Sequence, residues 1–117
     1  MTGINTAIDS IRKEVTLLHR TIMFDLDRVI VQKTPRDTGL AKGNWIASIG
    51  SPYRGTTTKL HKTNNTPSIE RIRRPCVSYL SNNLPYIERL NEGWGKKPQA
   101  PAGYIEDAIK IVVAAHK

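Results

Sequence analysis

Apolar residues recur at spacings of three and four along the N-terminal part of the chain. They are Ile4, Ile8, Ile11, Val15, Leu18, Ile22, Leu26 and Val29. This spacing places them on one face of an α-helix, with charged residues on the other faces. Pro35 disfavours helical geometry at Thr34 and has no amide donor, so we predict one long helix over residues 4–34.

Such a helix is long for a chain of this size. Thirty helical residues extend about 45 Å, whereas a compact domain of this length is about 35 Å across. A helix without a break would project beyond its own domain. Because a projecting amphipathic helix normally lies against another subunit, the length of this helix favours an oligomer.

The segment after the helix, residues 44–80, predicts strands around a polar loop. Trp45, Ala47 and Ile49 alternate with other residues, which is typical of a short strand. Trp45 is expected to anchor the core. Residues 51–66 are polar, so we predict a long loop or an irregular hairpin that is flexible in the isolated protein.

The remainder of the chain predicts one more strand segment and two helices. Residues 69–80 have a strand-like composition, and Pro75 within them suits an edge strand or a bulge. Residues 85–92 predict a short helix and residues 93–103 a loop rich in glycine and proline. Residues 104–116 return to helical spacing and predict a C-terminal helix.

These elements predict a single α+β domain over residues 1–117. It consists of a long N-terminal helix and a small antiparallel β-sheet, with the short helix and the C-terminal helix packed on the sheet. The hydrophobic fraction of 38% is low for a self-sufficient globule, which suggests that partners complete the burial. A lone cysteine, Cys76, excludes an internal disulfide and is most simply a small apolar filler.

The chain shows no signal peptide and no apolar run near the roughly 20 residues that span a bilayer. We therefore expect a soluble protein without a membrane partner, made in a cytosol.

Positive charge is concentrated in the middle of the chain. The net charge is +8 and the isoelectric point is near 9.9, which favours an acidic partner. Six of the eight net charges lie between residues 36 and 74. The cations that could contact DNA phosphates or an acidic protein are Arg54, Lys59, Lys62, Arg71, Arg73 and Arg74. A DNA-contacting face and a solvated loop that keeps the protein soluble both remain open, since only Tyr53 offers an aromatic ring nearby.

No set of residues in the sequence predicts catalysis. His19, His61 and His116 lack the spacing of metal ligands, and one cysteine adds too little for a zinc site. Asp25 and Asp27 are two residues apart on a helix, so they point to different sides. No nucleotide-binding or hydrolase motif occurs. We expect no enzyme, no cofactor and no metal.

The first of two turn-rich motifs is "TPRDTGLAKGNW", residues 34–45. The Asp37 carboxylate can accept backbone N–H bonds across the turn, and Gly39 permits a positive φ. We predict that Pro35, Asp37, Thr38 and Gly39 form a structural turn that aims the following strand.

The second motif is "NLPYIERLNEGWGKKPQAPAGYIEDAI", residues 83–109. Trp94 lies between two glycines, which makes it hard to bury within its own chain, although burial in the core remains open. The residues of this motif that are candidates for a subunit or partner interface are Trp94, Tyr86, Lys96, Lys97 and Pro101.

Together and in this order, the two motifs resemble the tail-completion or head–tail joining (neck) proteins of siphophage-like tailed bacteriophages. The resemblance implies a structural virion protein at the head–tail junction, made in the host cytoplasm. It also implies assembly as a homo-oligomeric ring, with a hexamer expected, in contact with other phage neck and tail proteins. The polar insertion over residues 53–66 is not part of the family pattern. Whether such a protein caps the tail or lies on the head side stays open.

The alternative hypothesis is a basic nucleic-acid-binding module that contacts DNA phosphates through residues 54–74. If these cations lined the channel of a ring, they would bind passing DNA tightly, because neutralised phosphates release counterions. Under the resemblance, we therefore expect the basic loop to face acidic neighbouring proteins, or to contact genomic DNA only at rest.

Overall fold

The computed structural model describes residues 3–35, 39–93 and 102–116. Its first helix, α1, spans Gly3–Lys33 without a break, which confirms the long helix predicted from the apolar spacing. The molecule measures 64 × 28 × 18 Å. At about 46 Å, α1 occupies most of its longest dimension. The helix therefore projects beyond the body.

The C-terminal end of α1 is closed by side chains from within the chain. Thr34 is buried, and its hydroxyl donates to the Ile30 carbonyl at 2.6 Å. The Lys42 ammonium donates to the carbonyls of Val31 and Gln32. These contacts satisfy carbonyls of the last turn and place a positive charge at the negative end of the helix dipole.

The turn after α1 leads into a helical turn before it reaches the strand. Gly39 has a φ of 78°, as expected, and precedes α2, Leu40–Gly43. Strand β1 then spans Ile46–Ile49. Pro35 is buried. Asp37 and Thr38 lie outside the described residues, so their role in the turn stays a prediction.

The sheet of the described chain has two strands. Strand β2, Ser78–Ser81, pairs antiparallel with β1. Ile46 lies opposite Ser81, and Ile49 lies opposite Ser78. Ala47 is buried, whereas Ile49 at the end of β1 is exposed, so the inward face of the strand is short.

The predicted strand over residues 69–80 is wrong up to residue 77. A short helix, α3, spans Thr66–Glu70. Pro67 lies in its first turn, where a missing N–H costs nothing. Ile69 and Ile72 are three residues apart and both 1% exposed, so the apolar spacing here is that of a helical turn.

Two helices complete the fold and confirm the predicted short helix and C-terminal helix. They are α4, Ile87–Asn91, and α5, Tyr104–Ala115. Helix α5 runs antiparallel to the C-terminal half of α1. His116 after its end contacts Asp25, with Nε2 2.7 Å from Oδ2, and Tyr104 at its start lies beside Thr34.

Two clusters of buried side chains form the core. The larger lies between α1, α2, α4 and α5 and contains Val29, Ile30, Ala41, Trp45, Leu84, Ile87, Tyr104, Ala108 and Val112. The smaller joins α1, β1 and the α3 region through Met23, Ala47, Ile69 and Ile72, with Cys76 packed against it. Trp45 is thus the core anchor that was expected, and Cys76 is a partly buried filler. The architecture is mixed α+β and mostly helical, with a long N-terminal helix.

Candidate interaction surfaces

Every residue from 3 to 15 of α1 is exposed. Its first buried residue is Thr16. Further attachments to the body follow, where His19 Nε2 lies 2.6 Å from Ser78 Oγ and the Arg20 guanidinium donates to the Ile72 carbonyl at 3.1 Å. Residues 3–18, called the helix tip below, carry almost none of the packing that holds α1 to the body.

The helix tip exposes a continuous apolar stripe. Its members and their exposed fractions are Ile4 71%, Ile8 42%, Ile11 59%, Val15 48% and Leu18 48%. Single exposed apolar residues are ordinary, but a contiguous stripe marks an interaction site. From Ile22 onwards the same helix packs against the core beneath α5. The uncovered half of α1 is therefore a candidate docking surface.

The long loop over residues 50–65 is the second candidate surface. It has no regular secondary structure, as predicted. Asn44, which is fully buried, holds its middle, because the Asn44 amide accepts from Thr57 N at 2.9 Å and donates to Thr57 O at 3.0 Å. Asn83 donates to the carbonyls of Tyr53 and Gly55. These hydrogen bonds oppose the flexibility that was expected of the loop.

The end of the long loop is fixed by a buried amide. Asn65 accepts from Ala47 N at 2.9 Å and donates to Trp45 O at 2.7 Å and to the Asp27 carboxylate at 2.8 Å. The Thr63 hydroxyl donates to the same carboxylate at 2.9 Å. Burial raises the pKa of Asp27, while the hydrogen bonds from Asn65 and Thr63 act to lower it. One asparagine thus links α1, β1 and the loop.

Two glycines of the first motif allow the loop to lie directly on α2. A Cβ at Gly43 would stand 2.0 Å from the Lys59 carbonyl oxygen. A Cβ at Gly39 would stand 2.3 Å from the ring of His61. The backbone N–H of His61 donates to the Gly39 carbonyl at 2.8 Å. His61 itself has a φ of 68°, which is uncommon for a non-glycine residue. His61 is therefore engaged in holding the loop against the corner.

The six candidate cations are all exposed, and they lie on two segments. Arg54, Lys59 and Lys62 belong to the long loop, and Lys59 and Lys62 line a surface cavity of about 430 Å³. The other three, Arg71, Arg73 and Arg74, follow α3. None of the six forms an ion pair with the described residues, among which Arg28 pairs with Asp25 at 3.7 Å.

Most of the predicted interface residues lie outside the described part of the chain, namely Trp94, Lys96, Lys97 and Pro101. Tyr86 is described, and it is partly buried against the larger core cluster. Asn91 is another described residue of this motif. Its amide donates to the Glu106 carboxylate at 2.9 Å and accepts from Ile105 N at 2.9 Å, which joins α4 to the start of α5.

Sequence reasoning did not identify Asn44 or Asn65 as the residues that hold the loop. Asparagine near glycine or another asparagine predicts a turn, which is how both positions look in the sequence. Apart from the Leu40 carbonyl, which lies four residues from Asn44, their partners lie 13 to 38 residues away in the chain. No local pattern identifies such pairs.

Within the described ranges, no group of three His, Cys, Asp or Glu residues could hold a metal ion. None of the described helices is both long enough and apolar enough to cross a membrane. Comparison with protein-family models, curated proteins and solved structures found no match for this chain.

Proposed function

We propose that this protein is a structural component of the head–tail junction of a tailed bacteriophage. In this role it is a tail-completion, terminator or neck protein that assembles as a homo-oligomeric ring and joins the tail to the head. The observation that carries the assembly role is the uncovered apolar stripe of the helix tip. The two turn-rich motifs, which resemble those of the neck family, supply the location.

Each part of the molecule has a task under this proposal. The two core clusters hold the body in one shape, so that the surfaces are presented in a fixed arrangement. The helix tip contacts other subunits, and the anchored loop presents its exposed cations to acidic neighbouring proteins or to the DNA end. The protein acts by shape and surface complementarity and performs no catalysis.

Imaging of assembled particles with this protein labelled tests the proposal. We expect the label at the junction of head and tail. We also expect that a phage lacking the protein yields separate filled heads and tails, and that the wild-type chain restores joining. Infectious particles that form without this protein would contradict the proposal.

A second candidate function is DNA binding through residues 54–74. The observation that favours it is that all six cations of this region are exposed and without an ion pair to the described residues. Phosphate contacts make affinity fall steeply as salt rises. Tight DNA binding by a protein that never forms oligomers would favour this candidate, and oligomers that bind no DNA would favour the first.

A further inference from the structure

The exposed stripe of the helix tip has the spacing of a coiled coil. Its five apolar residues are separated by four, three, four and three positions, an average of 3.5 residues. That is the repeat of helices that wind around one another, whereas a straight helix repeats every 3.6 residues. In heptad letters, Ile8 and Val15 occupy a positions, and Ile4, Ile11 and Leu18 occupy d positions.

The stripe continues a surface that already packs against a helix. Beyond the tip, Ile22, Leu26 and Val29 belong to or pack against the core cluster that includes α5. Helix α5 ends at the level of Asp25, where His116 contacts it. The chain therefore fills only the C-terminal half of a helix-packing surface that runs along α1, and another helix can lie beyond the end of α5.

The charge of the tip favours a second copy of this chain as the occupant. The whole chain carries a net charge of +8, which opposes association of its copies. Within residues 3–18, however, Asp9 and Glu14 balance Arg12 and Lys13. The tips of two copies can therefore pack side by side without electrostatic repulsion at the contact.

Three of the five seam residues favour more than two helices, whereas Val15 at a and Leu18 at d also suit two. Isoleucine at both a and d positions shifts coiled coils from dimers towards trimers and tetramers. Isoleucine occupies an a position at residue 8 and d positions at residues 4 and 11. In a ring with cyclic symmetry, equivalent helices that lie along the ring axis run in the same direction.

We propose that the helix tips of three or more copies of this chain pack in parallel through Ile4, Ile8, Ile11, Val15 and Leu18. The partner of the helix tip in this bundle is the helix tip of another copy. The parallel direction rests on the proposed function, in which the copies form a ring.

The size of the contact determines how strong it is. A tip of about 24 Å that buries a strip about 10 Å wide on each of two flanks hides on the order of 500 Å² per copy. Stable interfaces hide about 800 Å² per partner. The bundle is therefore weak in dilute solution and is completed by the other contacts of the ring.

Disulfide trapping captures such a weak contact. In a Cys76→Ser background, we expect mild oxidation to link copies through Ile11→Cys and also through Leu18→Cys. A parallel bundle places each seam residue opposite its own equivalent, within reach of a disulfide. Lys13→Cys, on the opposite face of the same exposed helix, is the matched control and should stay monomeric. Links through Ile11→Cys alone would indicate antiparallel helices and overturn the proposal.

Association measured by sedimentation gives an independent readout. We expect Ile11→Asp to weaken self-association by roughly tenfold or more, because burial of one isoleucine side chain is worth at least that factor. Ile111→Asp is the control, since Ile111 is similarly exposed at 46% but lies on α5. Unchanged association in Ile11→Asp, or a parent chain that is monomeric at every concentration and does not cross-link, would overturn the bundle.

The failures of the two proposals can be told apart. If the tips cross-link in the purified protein but no phage particle contains it, the proposed function fails and the bundle stands. If particles contain the protein while their tips stay unlinked, or link to a different protein, the bundle fails and the proposed function stands.

Discussion

At the scale of single residues, a few buried amides decide how the longest loop is placed. The Asn44 side chain exchanges two hydrogen bonds with the backbone of Thr57 and donates a third to the Leu40 carbonyl at 2.9 Å. An asparagine amide has a donor and an acceptor like those of a peptide group. Its side chain can therefore form with a loop the pair of hydrogen bonds that a neighbouring strand would otherwise form. Because Asn44 is fully buried, water cannot replace these bonds.

We predict that Asn44→Ala lowers the free energy of unfolding by about 2–4 kcal/mol, because the backbone groups of Thr57 lose their partners in a buried site. The matched control is Asn83→Ala, which removes two loop hydrogen bonds at an exposed position. There water takes over, and the expected loss is below about 1 kcal/mol. Urea unfolding of both variants measures the difference, and equal losses would contradict the role of burial.

At Gly43, helix propensity and steric contact predict opposite effects of a substitution by alanine. Alanine is the better helix former by about 1 kcal/mol, so propensity alone predicts that Gly43→Ala stabilises α2. The new Cβ, however, would stand 2.0 Å from the Lys59 carbonyl oxygen, a backbone atom that cannot turn aside. We expect the clash to win and the variant to lose about 1–3 kcal/mol. Gly3→Ala, with open space around the added carbon, is the control and should be neutral or slightly stabilised in thermal unfolding.

Tyr104 predicts a dependence of stability on alkaline pH. Burial raises the pKa of Tyr104 from 10.0 to about 12. The folded chain therefore holds the phenolic proton more tightly than the unfolded chain does. The resulting stabilisation is complete below pH 10 and is lost as the pH rises from 10 towards 12.

The variant Tyr104→Phe isolates this effect. In the parent chain, the Tyr104 hydroxyl is buried and makes no hydrogen bond of good geometry with the described residues, although Thr34 lies beside it. We expect stability at pH 7 to change by less than about 1 kcal/mol. Between pH 10 and 12 the variant should lose about 1–2 kcal/mol less than the parent. Parallel curves of unfolding free energy against pH would contradict this assignment.

At the scale of elements, α1 has two halves with different tasks. The C-terminal half supplies Met23, Val29 and Ile30 to the core. The N-terminal half contributes no buried residue before Thr16. Both halves carry the same apolar spacing, because that spacing specifies a helix and does not specify what covers it.

We therefore predict that removal of residues 1–12 changes the free energy of unfolding by less than about 1 kcal/mol, since residues 3–12 are all exposed. The contrast is Met23→Ala, in the other half of the same helix, which should lose about 2–5 kcal/mol. Chemical unfolding at a concentration where the chain is monomeric compares the two. A large loss on truncation would show that the tip packs on its own body.

At the scale of the whole molecule, the shape is elongated and the charge is uneven. The longest dimension is 64 Å, and the helix tip at one end has no net charge in a chain of +8. The cations of residues 54–74 belong to the body. Apolar contact between copies and electrostatic contact with an acidic partner therefore use different parts of the molecule.

This separation makes the DNA-binding alternative testable without disturbing assembly. If DNA is bound, replacing Arg71, Arg73 and Arg74 with glutamine should reduce the slope of log affinity against log salt by up to about three. Replacing Arg12 and Lys13 on the tip should leave the slope unchanged. Fluorescence anisotropy with duplex DNA at several salt concentrations measures both. A slope that falls equally in the two variants would indicate general charge attraction without a defined binding site.

The sequence by itself determined the helices of this protein and part of its core. The bounds of α1, α4 and α5 follow from local spacing and from Pro35, and these signals act over a few residues of chain. Trp45 as a core anchor and Gly39 with a positive φ are likewise matters of local composition and local geometry.

Only the tertiary structure decided the rest. The segment of Ile69 and Ile72 is a helical turn because α1 and β1 offer a site for it, and β-branched residues of that segment are compatible with either structure. Asn44 and Asn65 hold the loop through partners that the fold brings close from distant positions. Whether the stripe of α1 is covered depends on where α5 ends, and that is a property of the packed molecule and not of any local run of residues.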